Sequence, residues 1–174
     1  MPTRSVLLAV LMLGAGAHAG PLEIGTPPVP TLLRAWDIDV SPDGAGLPQG
    51  RGSVADGRKV YGEKCAVCHG AHGEGGPMDR LAGGLGSLSD AKPVKTIGSF
   101  WPYATTVFDY VRRAMPFNAP QTLSNNEVYA VTAYLLHLNG ILGADATLDA
   151  ATLSVVRMPN RDGFVKDPRP DVGR

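Results

Sequence analysis

Two cysteines are all that this chain of 174 residues contains. They stand close together, as Cys65 and Cys68, so no framework of structural disulfides ties distant parts of the chain. Aromatic residues are sparse at 6%, and charge of either sign is not in excess, with 16 basic against 16 acidic residues. Such a balance leaves no electrostatic footprint for nucleic acid and no polybasic patch for a membrane surface. Strand-period alternation of useful length and internal repeats are both missing, which turns attention to helices. Long apolar stretches are missing as well. The one candidate, residues 6–13, falls short of the roughly 20 residues that span a bilayer.

What is there begins with that short run. Arg4, the apolar segment and an Ala17-His18-Ala19 exit make a charged start, a short hydrophobic centre and a small-residue cleavage site. Residues 1–19 therefore read as an export signal cleaved after Ala19, which places the mature chain in the periplasm. An uncleaved anchor is the alternative.

Cys65-Ala66-Val67-Cys68-His69 reads C-x-x-C-H, the attachment site of a c-type haem. Two thiols separated by two residues match the two vinyl groups of one porphyrin, and the following His69 ligates the iron. Two other readings compete. A redox dithiol wants a βαβ setting and gives the adjacent histidine no role. A structural zinc site with His69 and His72 would need a second ligand pair from a distant segment, and no further cysteine exists to supply it. One covalently bound haem c is the expected cofactor.

Residues 20–52 form a Pro- and Gly-rich N-terminal extension with one apolar island at Leu32, Leu33, Trp36 and Ile38. Residues 53–140 carry the helical signals of the haem domain. Ser53 can cap a helix through about Lys64, with Val54, Gly57, Val60 and Tyr61 on one face and Gly57 offering close approach of another backbone. Residues 70–86 form a Gly-rich loop. Thr105 or Thr106 can open the next helix, with Asp109 completing a capping box after Thr106. On it Val107, Tyr110, Val111 and Ala114 share a face, with Asp109, Arg112 and Arg113 opposite. Pro116 pushes Met115 out of the α region and ends this helix. Ser124 and Glu127 form a capping box for a last helix that closes at Asn139-Gly140, with Val128, Val131, Leu135 and Leu138 as its stripe. Residues 141–174 are an irregular C-terminal extension.

The second axial position decides the haem's chemistry. With residues 1–19 gone, Met78, Met115 and Met158 are available. Met115 lies at a helix end on a proline turn, well placed to hold a thioether over iron. Met78 follows His69 closely in the flexible loop, and Met158 lies beyond the last core helix. His72 is too near His69 to cross the ring, and His137 faces away from the helix stripe; both read as surface histidines. Trp101, Tyr103 and Arg112 bring aromatic donors and a cation near Met115 in sequence, so they are expected at the haem propionates or edge.

The span from Gly57 to Gly140 resembles a class I cytochrome c domain, an all-α fold. The likeness becomes more specific over Lys95 to Thr106 and Tyr110 to Gln121, at Glu127 to Leu136, in Met158-Pro159-Asn160-Arg161-Asp162-Gly163-Phe164, and in Trp36-Asp37-Ile38-Asp39-Val40. There the chain is similar to cytochrome subunits of bacterial sulfite or sulfane dehydrogenases of the Sox sulfur-oxidation system. That resemblance implies a molybdenum-cofactor dehydrogenase subunit as electron donor and a downstream cytochrome as acceptor. It implies a non-catalytic electron-transfer role, with sulfite or sulfane sulfur as the partner's substrate. A free-standing shuttle and a haem enzyme such as a peroxidase are the rivals. Many cytochrome c domains place a proline just before the Leu-Ala-Gly that follows the haem motif, and its carbonyl orients the proximal histidine. Here Arg80 precedes Leu81-Ala82-Gly83 and the nearest proline is Pro77. Longer members carry a second haem domain; this chain has one motif. The apolar anchors of residues 22–40 and 148–165 are expected either to dock the molybdenum subunit or to fold back over the core.

Overall fold

The computed structural model describes residues 24–169. The export signal and its cleavage site, Met1, Met12 and His18 lie outside the described residues. The chain divides into two compact units after Asp37. In the first, helix α1 (Pro30–Trp36) starts with proline at its first position, where the missing N–H costs nothing, and Leu32, Leu33 and Trp36 are exposed.

The second unit opens with strand β1 (Arg51–Ser53), which runs into helix α2 (Val54–Lys64). Ser53 caps α2 as expected, its hydroxyl accepting from the Asp56 N–H at 3.1 Å. Helix α3 (Ala66–His69) follows directly, then a 3-10 turn (Ser87–Ser89), helix α4 (Ala104–Ala114) and helix α5 (Asn125–Leu138). Strand β2 (Thr147–Asp149) and helix α6 (Ala150–Ser154) complete the unit. The architecture is helical with little strand. The short antiparallel pair was not visible as alternation: β1 and β2 meet as Arg51 with Asp149, Gly52 with Leu148 and Ser53 with Thr147. Three residues are too few to show a period.

Helix α5 is the centre. The capping box at Ser124 and Glu127 forms as expected, and Gly140 takes a left-handed φ of 71° after the Asn139 cap. The expected stripe does not describe its burial, because every residue from Val128 to Leu136 is buried. The reason is that α5 has neighbours all round: α2, α4, β1 and β2 all pack on it. Two glycines allow that approach. A Cβ on Gly57 would stand 1.9 Å from the Ala130 carbonyl oxygen, and one on Gly52 would stand 2.2 Å from the Ala130 nitrogen.

Helix α4 departs from expectation at its start. Tyr103 is its N-cap position, without a side-chain cap. Thr105 and Thr106 are spent elsewhere, donating to the Pro42 and Tyr103 carbonyls at 2.9 and 2.8 Å. Asp109 is buried rather than solvated. Its carboxylate accepts from the Val40 N–H at 3.0 Å and pairs with Arg113.

Both extensions pack on the helices within this unit. Val40, Leu148, Leu153 and Met158 join the core. The segment from Ile38 to Arg51 is held largely through its backbone. Arg112 donates to the Ile38 carbonyl at 3.0 Å, Tyr129 to that of Pro48 at 2.9 Å, and Asn125 to that of Gln49 at 3.1 Å. Asn126 accepts from the Arg51 N–H at 2.9 Å. Before Arg51 the segment forms no ladder with a neighbouring strand, so side chains satisfy its carbonyls instead.

Candidate functional site

A cavity of about 980 Å³ opens between α3, the segment before α4, the turn after α4 and the inner face of α5. It is as large as a sizeable prosthetic group requires. Cys65, Cys68 and His69 line it, as do Met78 and Met115. Among the described residues no three His, Cys, Asp or Glu side chains gather to hold a bare metal ion.

The α3 turn presents its donors in defined chemical states. His69 Nδ1–H donates to the Asp79 carbonyl at 2.7 Å. A carbonyl can only accept, so the hydrogen sits on Nδ1 and the Nε2 lone pair is left for a metal. Asp79 thus does what a proline carbonyl does in many relatives, one residue before Arg80. The loop that carries it is fixed by Gly75 N–H to the His69 carbonyl at 2.8 Å and Met78 N–H to the Cys68 carbonyl at 3.0 Å. Tyr61 closes the turn from below the sequence motif, its hydroxyl donating to the Gly70 carbonyl at 2.8 Å. Burial pushes the Tyr61 phenol up to about 12. Burial also pushes the Cys65 thiol up to about 11, against the lowering effect of Lys64. A reactive dithiol needs a depressed thiol, so this environment argues against thiol–disulfide exchange.

Three methionines were candidates, and the structure separates them. Met158 is 1% exposed and belongs to the core, outside the cavity lining. Met78 is on the α3 side, tied to Cys68. Met115 caps α4, its N–H bonded to the Val111 carbonyl at 3.1 Å, and enters the cavity from a different element.

The remaining walls are largely apolar: Ile97, Val107, Val111, Val131 and Leu135. The α4 face shared by Val107, Tyr110 and Val111 is a wall of the cavity. Tyr110 is 48% exposed and meets Trp101 edge-on at 5.8 Å. Trp101 lines the cavity as expected, but Tyr103 and Arg112 do not. Arg112 follows Tyr110 by two residues, about 200° around the helix, and reaches Ile38. Tyr103 turns to the C-terminal extension, bridging to Arg157 and lying under the Arg161 guanidinium at 4.0 Å. Their expected contact with the haem therefore has no support in the cavity lining. Lys64, Arg80 and Lys95 are lining cations to which the sequence assigned no site role. His72 is exposed as expected, whereas His137 is half-buried and bonded to the Leu142 carbonyl at 3.0 Å.

The donor set of two thiols, a free imidazole nitrogen and a thioether fits haem c. Comparison with known proteins agrees. The cytochrome c family model matches residues 54–139. The chain is also 47% identical to a chain of the sulfane dehydrogenase SoxCD from Paracoccus pantotrophus, with a TM-score of 0.81 over 87% of this chain and 75% of that one. The chain belongs to the cytochrome c family. Haem c and electron transfer come with that membership. Thiosulfate dehydrogenases are similar too. The one from Psychrobacter arcticus is 30% identical over 62% of this cytochrome, and the one from Stutzerimonas stutzeri is 31% identical over 51%. The cytochrome spans only 34% and 28% of the lengths of those two relatives. Among the described residues no helix is long and apolar enough to cross a membrane.

Proposed function

We propose that this cytochrome carries one haem c, attached through Cys65 and Cys68 with His69 and Met115 as axial ligands. In this reading it passes single electrons from a molybdenum-cofactor dehydrogenase subunit, acting on sulfite or sulfane sulfur, to an acceptor cytochrome in the periplasm. The supporting observation is the convergence of two thiols, an Nδ1-anchored imidazole and a thioether from a separate element in one apolar cavity. Haem iron supplies one-electron chemistry, and an axial methionine favours a higher potential than a second histidine. The chain's part is to hold the ring nitrogen of His69 on the Asp79 carbonyl and to keep water out with Ile97, Val107, Val111, Val131 and Leu135. The exposed Leu32, Leu33 and Trp36 of α1 are the anchors we assign to the molybdenum subunit.

The similarity to thiosulfate dehydrogenases favours a second reading, in which the haem itself oxidises a sulfur compound. That reading needs a displaceable axial ligand. Carbon monoxide added to the reduced protein distinguishes them: no binding supports electron transfer, and ready binding supports catalysis. Affinity purification from the native host followed by metal analysis tests the partner. Molybdenum recovered with the cytochrome supports it, and a cytochrome recovered free of molybdenum overturns it.

A further inference from the structure

The short segment before α4 does two things at once. Lys95, Thr96, Ile97 and Trp101 line the cavity. Phe100, between them, is gripped by the C-terminal extension. Asn160 donates to the Phe100 carbonyl at 2.7 Å, and the Phe164 ring meets the Phe100 ring edge-on at 5.3 Å. The turn that delivers both groups is anchored by buried Met158 and tightened by the Gly163 N–H on the Asn160 carbonyl at 3.2 Å. A Cβ on Gly163 would meet the Asn160 side-chain oxygen at 1.9 Å, so a larger residue there would displace the Asn160 side chain.

The far side of this arrangement is a charge. The Lys95 ammonium lies 5.0 Å from the centre of the Phe100 ring. The other cations of the cavity wall are already engaged with oxygen: Lys64 with Glu127 at 2.8 Å, and Arg80 with the Glu74 carbonyl at 3.2 Å. Among the described residues Lys95 has no oxygen partner, and its position depends on an aromatic face. An ammonium on a four-carbon stem otherwise wanders in solvent.

We propose that the turn from Met158 to Phe164 is a clasp that, through Phe100, holds the Lys95 charge at the cavity rim and so raises the midpoint potential of the bound haem. A fixed positive charge near the iron disfavours the oxidised state, which carries one more positive charge than the reduced state. Lys95 is the electrostatic group, and Phe100 and Phe164 are positioning residues. The inference rests on the haem reading above.

Redox titration of the intact haem-loaded chain tests it, with thermal unfolding followed in parallel. Lys95→Gln should lower the midpoint potential and Lys95→Arg should keep most of it. Phe164→Ala should lower it in the same direction by a smaller amount. The double variant Lys95→Gln, Phe164→Ala should match Lys95→Gln alone, because the two act through one charge. The differences should shrink at high salt. A Lys95→Gln protein at the wild-type potential overturns the proposal, as does a Phe164→Ala protein that loses stability while keeping its potential. Absence of the haem absorption band in the wild-type chain would instead overturn the haem reading. A normal band with an unmoved potential overturns only the clasp.

Discussion

Two thioethers line the cavity, and their backbone anchors distinguish them. Met78 is bonded to the α3 turn that carries His69, while Met115 arrives from the end of α4. Met115→Ala should abolish the sulfur-to-iron charge-transfer band of the oxidised protein and lower its potential, and Met78→Ala should spare both. The reverse pattern would reject Met115 as ligand. Glu127 offers a second test at this scale. Its carboxylate is held down to about 2 by the Lys64 ammonium and by the Ser124 backbone and hydroxyl. A carboxylate depressed in the folded state stabilises above its unfolded value and loses that contribution as pH falls. Stability should therefore decline between the ordinary value of 4.5 and about 2. Glu127→Gln should cost on the order of 1 kcal/mol near pH 7, since a cap and a partly exposed pair are each worth about that or less. Its deficit in urea titrations should close by pH 2. That Cys65, Cys68, His69 and Met115 line one cavity was legible in sequence because the signals are local: a fixed spacing, and a proline that ends a helix. Tyr103 and Arg112 are near Met115 in sequence yet lie outside the cavity lining, since nearness in sequence does not fix nearness in space.

Helix starts and stops were the most legible elements. Ser53, Ser124, Met115-Pro116 and Asn139-Gly140 mark boundaries through hydrogen bonds and sterics that act within a few residues. The start of α4 failed for an instructive reason. Thr105 and Asp109 had long-range partners, Pro42 and Val40, that no local pattern displays. The full burial of α5 was hidden in the same way, since the strands that help cover it come from the two extensions. Gly57 shows how one local clue can still report a distant contact. Gly57→Ala would drive a methyl group into the α5 backbone at Ala130. A loss of about 1–3 kcal/mol is expected, the range for overpacking, read from a lowered denaturation midpoint. Arg58→Ala, one residue on and exposed, should change it little.

On the scale of the whole molecule, the two extensions divide their labour. Residues 38–52 and 147–160 fold back on the helices, whereas Leu32, Leu33 and Trp36 of α1 are exposed. Deleting residues 24–36 should weaken complex formation with the proposed molybdenum subunit and leave the melting temperature unchanged. Binding that survives the deletion intact would remove α1 from the interface. Deleting residues 147–169 should instead lower the melting temperature, because Leu148, Leu153 and Met158 leave the core. The manner in which residues 38–51 are held bears on how this cytochrome can diverge. Thr105, Arg112, Asn125 and Tyr129 grip carbonyl oxygens of Pro42, Ile38, Gln49 and Pro48, and every amino acid offers the same carbonyl. Apart from core Val40, the segment's lettering can therefore drift while its path is kept, and the selective burden falls mainly on the four gripping side chains. In a saturation-mutagenesis survey, Gln49 should accept most replacements and Tyr129 almost none, so the variable stretch of the family would be the one whose course is most strictly inherited.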